Sequence, residues 1–91
     1  MSAATLANVS SSASSVTLFA AADRVDVQNR ILHNDSTATL YLKYGTTASD
    51  TSYTYEVAAG AHWEAPQPTY PGLVHGIWSS ATGSARTTEV A

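Results

Sequence analysis

The chain has no cysteine, only 4 lysines and arginines, only 3 prolines among 91 residues, and a charged fraction of 12%. Each shortage excludes something. Without cysteine there is no disulfide framework, no thiolate metal site and no cysteine nucleophile. Arg24, Arg30, Lys43 and Arg86 face 7 acidic residues, for a net charge of −3, which is too few cations to neutralise a phosphate backbone. Nucleic acid is therefore not an expected partner. No run approaches the roughly 18 to 20 apolar residues of a membrane span, so a membrane is not expected either. The first residues lack a basic segment, and Ser10-Ser11-Ser12-Ala13-Ser14-Ser15 interrupts their apolar positions, so they do not read as a signal peptide.

What is present is small and neutral. The hydrophobic content of 44% includes 16 alanines, and 12 serines and 12 threonines stand beside them. Val, Ile, Leu and Phe together number 16, a thin core for one domain. Disorder would also require high net charge and no patterning, and neither applies. A chain of this length buries only about 60–65% of its unfolded surface, so further stability is expected from assembly rather than from a staple.

Residues 1–13 are small, polar and aperiodic and read as a flexible N-terminal arm, with Leu6 and Val9 as isolated apolar points, an arm of the kind that orders against a neighbour. Residues 14–91 read as one β-domain of about seven strands. The first spans Ser14–Phe19. The second lies within Val25–His33, where Val25, Val27, Asn29, Ile31 and His33 alternate with polar or charged neighbours except at Leu32, and Asn34-Asp35-Ser36 follows as a turn. Thr39–Tyr44 sets Leu40, Leu42 and Tyr44 on one face. Tyr53–Val57 and His62–Ala65 form a hairpin across Ala58-Ala59-Gly60-Ala61, and Pro66 and Pro68 end it. Leu73–Ser79 opposes Val74, Gly76 and Trp78 to Leu73, His75 and Ile77, with Gly76 marking a bulge or a close backbone approach. Ala85–Val90 is the last strand, and Ala20–Asp26 has room for a single helical turn. The expected architecture is all-β: a small antiparallel β-sandwich with immunoglobulin-like or jelly-roll connections.

The chemistry-bearing residues do not assemble into a motif. His33, His62 and His75 are the only bases near neutral pH; they fall in different strands, and no G-x-S-x-G or H-x-x-x-H occurs. Glu56 and Glu64 flank one hairpin, within reach of each other but on polar faces. Asp35 and Asp50 offer loop oxygens without a calcium-loop pattern, and the Asn-x-Ser triplets at Asn8 and Asn34 are short enough to recur by chance. The expectation is a protein that is not an enzyme, with no catalytic residue, cofactor or metal. The aromatics could stack on sugar rings, with Tyr41 and Tyr70 the exposed candidates and Trp63 next, although a sandwich this small also needs tryptophan in its core.

Three stretches carry a resemblance over most of the chain: Asn34-Asp35-Ser36-Thr37-Ala38-Thr39-Leu40-Tyr41-Leu42-Lys43, then Gly45-Thr46-Thr47-Ala48-Ser49 with the Tyr53 strand, and Tyr70-Pro71-Gly72-Leu73-Val74-His75-Gly76-Ile77-Trp78 running into Ala81-Thr82-Gly83. The chain resembles small virion proteins of tailed bacteriophages, found among head and tail structural components. It departs from them at Val25–Arg30, where a shorter and more arginine-rich segment is expected. The resemblance implies a head decoration, or cement, protein, made in the host cytoplasm and seated on the outer capsid surface of the virion. Its implied partners are the major capsid protein and itself, as a homotrimer, with Leu6 and Val9 of the arm as the capsid or subunit contacts. The alternative it leaves is a spike, fibre or tail-associated module that contacts the host surface or glycans.

Overall fold

Short alternating runs separated by polar turns can bury one face each only by stacking sheet on sheet. The computed structural model describes residues 4–21 and 27–91, and its regular elements are all strands. They are β1 (Ala4–Ser10), β2 (Val16–Phe19), β3 (Asn29–Ser36), β4 (Leu40–Tyr44), β5 (Tyr55–Val57), β6 (His62–Glu64), β7 (Val74–Trp78) and β8 (Gly83–Val90). Two antiparallel four-stranded sheets result, ordered β1-β8-β3-β6 and β2-β7-β4-β5. The chain is a β-sandwich. Its core lies between the sheets, where Leu40, Leu42 and Val74 are wholly buried against Leu32, Trp63 and Trp78.

The clearest alternations behave as the sequence predicts. In β4, Leu40 and Leu42 point inward and Tyr41 and Lys43 stay half-buried on the outer face. In β7, Val74, Gly76 and Trp78 are buried while His75 and Ile77 lie outside. Gly76 marks a close approach: a Cβ there would stand 2.5 Å from Leu18 Cδ1 and 2.9 Å from Leu40 Cδ1. The irregular register lies opposite, between Thr17 and Phe19 of β2. Because both leucines are buried, neither can swing into solvent, and Gly76→Ala overpacks the core. The expected loss is about 1–3 kcal/mol in urea denaturation. An unchanged midpoint would show that the two leucines can be repacked freely.

Four expectations are corrected. Residues 4–10 are not a free arm: they form β1, paired along its whole length with β8 from Ala4↔Val90 to Ser10↔Ser84. The seven strands expected in residues 14–91 are all present, and β1 makes eight among the described residues. The Asn34-Asp35-Ser36 segment is the end of β3 rather than a turn, and the chain reverses after it at 37–39. Third, the alternation in β3 runs opposite to the sequence reading, since Arg30, Leu32 and Asn34 face inward while Ile31 is half-buried and His33 exposed. Fourth, Trp63 is core rather than surface, and Tyr70 packs against it. The expected single turn at Ala20–Asp26, and with it Arg24 and Val25, falls mostly outside the described residues.

The inversion of β3 has a physical cause. Arg30 is fully buried with every guanidinium N–H engaged. Nε donates to Glu89 Oε2 at 2.8 Å; one terminal nitrogen donates to the carbonyls of Tyr70 (3.0 Å) and Gly72 (2.6 Å), the other to those of Ala20 (3.0 Å) and Pro71 (3.1 Å). Its plane also lies over Phe19, 5.1 Å from the ring centre. A cation can occupy an inward position only when its donors are satisfied in this way.

Candidate functional site

The histidines do not converge. His33 and His62 are cross-strand partners on the outer face of the first sheet, beside Arg86, while His75 lies on the outer face of the second. His75 is held by hydroxyls and backbone. The Thr47 N–H (3.3 Å) and Ser15 Oγ (3.0 Å) both address Nδ1, which leaves the ring proton on Nε2 to be donated to Thr17 Oγ1 at 3.3 Å. Ser15 Oγ in turn accepts the Ala48 N–H at 2.9 Å. The network pins the 45–52 loop onto the sheet and holds Thr47 at a left-handed φ of 60°.

The carboxylates are dispersed as well. The hairpin expected between Tyr53–Val57 and His62–Ala65 does not form: β5 pairs with β4 and β6 with β3 in different sheets, so Glu56 and Glu64 are not brought together as a pair. Asp35 pairs with Arg86 at 3.0 Å in an exposed bridge, worth little in stability. Asp50 stands exposed in the 45–52 loop. Among the described residues no group of three or more His, Asp or Glu could hold a metal ion.

The aromatics divide into two sets. Tyr44, Tyr55, Trp63 and Tyr70 form one cluster, in which Tyr44 and Tyr70 stack with centroids 4.3 Å apart and an interplanar angle of 10°. Two of the three expected sugar-stacking residues, Tyr70 and Trp63, are used up here. Burial pushes the Tyr44 hydroxyl above the usual phenol range, with the neighbouring Tyr55 phenol adding to the effect. The second set is Tyr41 with Tyr53, tilted at 50° with centroids 5.0 Å apart, on the outer face of the second sheet. Tyr53 is 43% exposed. Beside Tyr41 a cleft of about 340 Å³ opens between the 45–52 loop and the end of β7, lined also by Ser49, Asp50, Ile77 and Ser79.

The remaining distinctive surface is β1. Pairing places Ala4, Leu6 and Asn8 on the outer face of the first sheet, in rungs with Val90, Thr88 and Arg86, and the Leu6 rung continues through Ile31. Thr5 and Ala7 point to the opposite side and are exposed too, so β1 overhangs the second sheet. Leu6 is 74% exposed, whereas Val9 is half-buried and packs on the core. β1 is the terminal strand of its sheet, and among the described residues no strand lies beside its outer backbone edge. Of the residues singled out from sequence, the structure thus leaves Leu6 and Tyr41 accessible, seats Val9 and Tyr70 against the core, and buries Trp63. Period-two alternation places Tyr53 on the face of buried Val57, yet it is exposed beside Tyr41, and the β1 edge has no local signal, because the folded-back loop and the long-range pairing with β8 create them.

No protein-family model, no curated protein and no solved structure matches this chain.

Proposed function

We propose that this chain is a structural protein of a tailed-bacteriophage virion, a trimeric decoration protein that binds the outer head surface and stabilises contacts between major capsid subunits. The observation that carries the reading is β1. It is seven residues long, exposed on both faces but for Val9, unpaired along one edge among the described residues, and without a charge or a proline. Soluble domains ordinarily blunt such an edge with lysine, proline or a bulge, because it templates pairing with another chain. Here it is flat, neutral and terminal, suited to adding a strand from, or to, a neighbouring subunit. The small, weakly charged surface fits the same role, since Ala, Ser and Thr approach closely without the desolvation cost of buried ions. Many copies on one lattice then add avidity.

Quantitative mass spectrometry of purified virions tests the assignment. A copy number comparable to that of the major capsid protein is expected. A number matching a tail-tip component would replace head decoration with a spike, fibre or tail location. The role of β1 has its own test. Deleting residues 1–10 removes only Val9 from the periphery of the core, so the shortened domain is expected to keep its β-type circular dichroism and lose saturable binding to undecorated heads. Binding at unchanged affinity would show that β1 is not the attachment strand.

A further inference from the structure

We infer that the cleft beside Tyr41 is a binding site for a neutral hexose unit of a glycan, wherever in a virion the chain resides. A sugar ring presents an apolar face of C–H groups and a polar rim of hydroxyls, so its site needs an aromatic or aliphatic wall and a few fixed acceptors and donors. Both are present. Tyr41 and Ile77 supply the wall, while the Asp50 carboxylate and the Ser49 and Ser79 hydroxyls supply the polar groups. The volume of about 340 Å³ suits a single small polar ligand.

The site is organised before anything binds. Tyr53 buttresses Tyr41 from the side. The turn that carries Asp50 is closed by reciprocal backbone bonds between Ser49 and Ser52 (3.0 and 3.3 Å) and by Ser49 Oγ, which takes the Thr51 N–H at 3.3 Å. Lys43 Nζ donates to Ser52 Oγ at 2.7 Å and anchors the same turn to β4. Ser79 Oγ accepts the Thr39 N–H at 3.2 Å, which leaves its own proton to donate outward. The Asp50 carboxylate takes no hydrogen bond or ion pair from the described residues, although the turn that carries it is held at Ser49 and Ser52. Fixing these groups in advance reduces the ordering cost of binding.

Charge decides among small polar ligands. Among the described residues no cation lines the cleft, Asp50 is acidic, and the chain carries −3 overall, so phosphates and acidic sugars are disfavoured. A carboxylate accepting two vicinal hydroxyls is the arrangement for a neutral sugar.

The test is a ¹H–¹⁵N NMR titration of the free protein with the methyl glycosides of glucose, galactose, mannose and N-acetylglucosamine. Saturable millimolar shifts confined to the amides of the 49–53 turn, Tyr41 and the 77–79 segment are expected for at least one of them. Asp50→Asn, at an exposed position, is expected to keep the spectrum elsewhere and weaken binding about tenfold or more, as loss of a charge-assisted hydrogen bond requires. Glu64→Gln, exposed on β6 of the other sheet, should leave binding unchanged. Absence of saturable shifts with all the glycosides, or shifts that survive both Asp50→Asn and Tyr41→Ala, would overturn the site. Because the measurement uses no virion, its failure leaves the decoration role untouched, and the reverse holds too.

Discussion

Arg30→Met is expected to remove much of the stability of this domain, bringing it to or past the edge of unfolding at room temperature. The substitution keeps a long apolar stem but withdraws five hydrogen bonds at once. Glu89 loses its cation, and the carbonyls of Ala20, Tyr70, Pro71 and Gly72 lose their donors. Glu89, whose side chain is 26% exposed, is partly hydrated once its cation is gone, so breaking the pair costs less than the about 3–5 kcal/mol of a fully buried one, and each buried acceptor left without a donor adds about 1–3 kcal/mol where water cannot reach it. A domain of this size has roughly 5–15 kcal/mol in total. The residue also joins distant parts of the chain. It extends from β3 in the first sheet to the end of β2 and to the 70–72 segment that leads into β7, both in the second. Arg30→Lys is expected to rescue only partly, because an ammonium has three donors and no planar fork. Urea denaturation followed by tryptophan fluorescence reads all three proteins. An Arg30→Met midpoint within about 0.5 kcal/mol of the parent would mean that water or a rearranged loop satisfies those carbonyls.

The same residue shows where sequence reading stops. Period-two alternation made β4 and β7 legible, because Leu40 and Leu42, or Val74 and Trp78, are apolar residues flanked by polar ones, and the burial follows. In β3 the rule failed, since it places arginine and asparagine outward by their intrinsic cost of burial. That cost is cancelled for Arg30 by Glu89 and the carbonyls of residues 20 and 70–72, and for Asn34 by the carbonyls of residues 38, 57 and 58, and no local pattern announces them. β1 escaped for a related reason. Ala4–Ser10 has small residues and no sharp alternation, and it becomes a strand because β8 offers it a partner some 80 positions away. Among the surface candidates, Tyr41 was read correctly as facing outward. Tyr70 and Trp63 were not, because stacking on Tyr44 and Tyr55 decides their exposure. The proposed sugar cleft depends on the 45–52 loop returning over the sheet, which the polarity of that loop did not foretell.

Asn34→Asp is expected to be the most damaging isosteric change in the chain, and more so at pH 7 than at pH 4. Asn34 is fully buried, and its Nδ2 donates to the carbonyls of Ala38 (2.9 Å), Val57 (3.0 Å) and Ala58 (3.2 Å). Its Oδ1 accepts from Trp78 Nε1 at 3.0 Å and Ser36 Oγ at 2.7 Å. The amide thereby ties the 36–38 turn to the end of β5 and to the core tryptophan, while its backbone joins Gly60 and Ala61. Aspartate has the same shape, but it turns a pair of donors into an acceptor aimed at three carbonyls. Ionised, it is a buried charge facing negative dipoles; protonated, it recovers one donor. Burial and the carbonyls therefore raise the folded-state pKa of the new carboxyl above the unfolded value of about 3.9. Above the unfolded pKa the unfolded chain then binds fewer protons than the folded one, so stability falls as pH rises. Measured as the difference from the parent at each pH, the destabilisation should grow from pH 4 toward pH 7 and exceed the loss caused by Asn34→Ala, which leaves the acceptors unpaired but adds no charge. A loss in Asn34→Asp that is flat with pH, or smaller than that of Asn34→Ala, would mean that the amide is oriented the other way or that water enters the site.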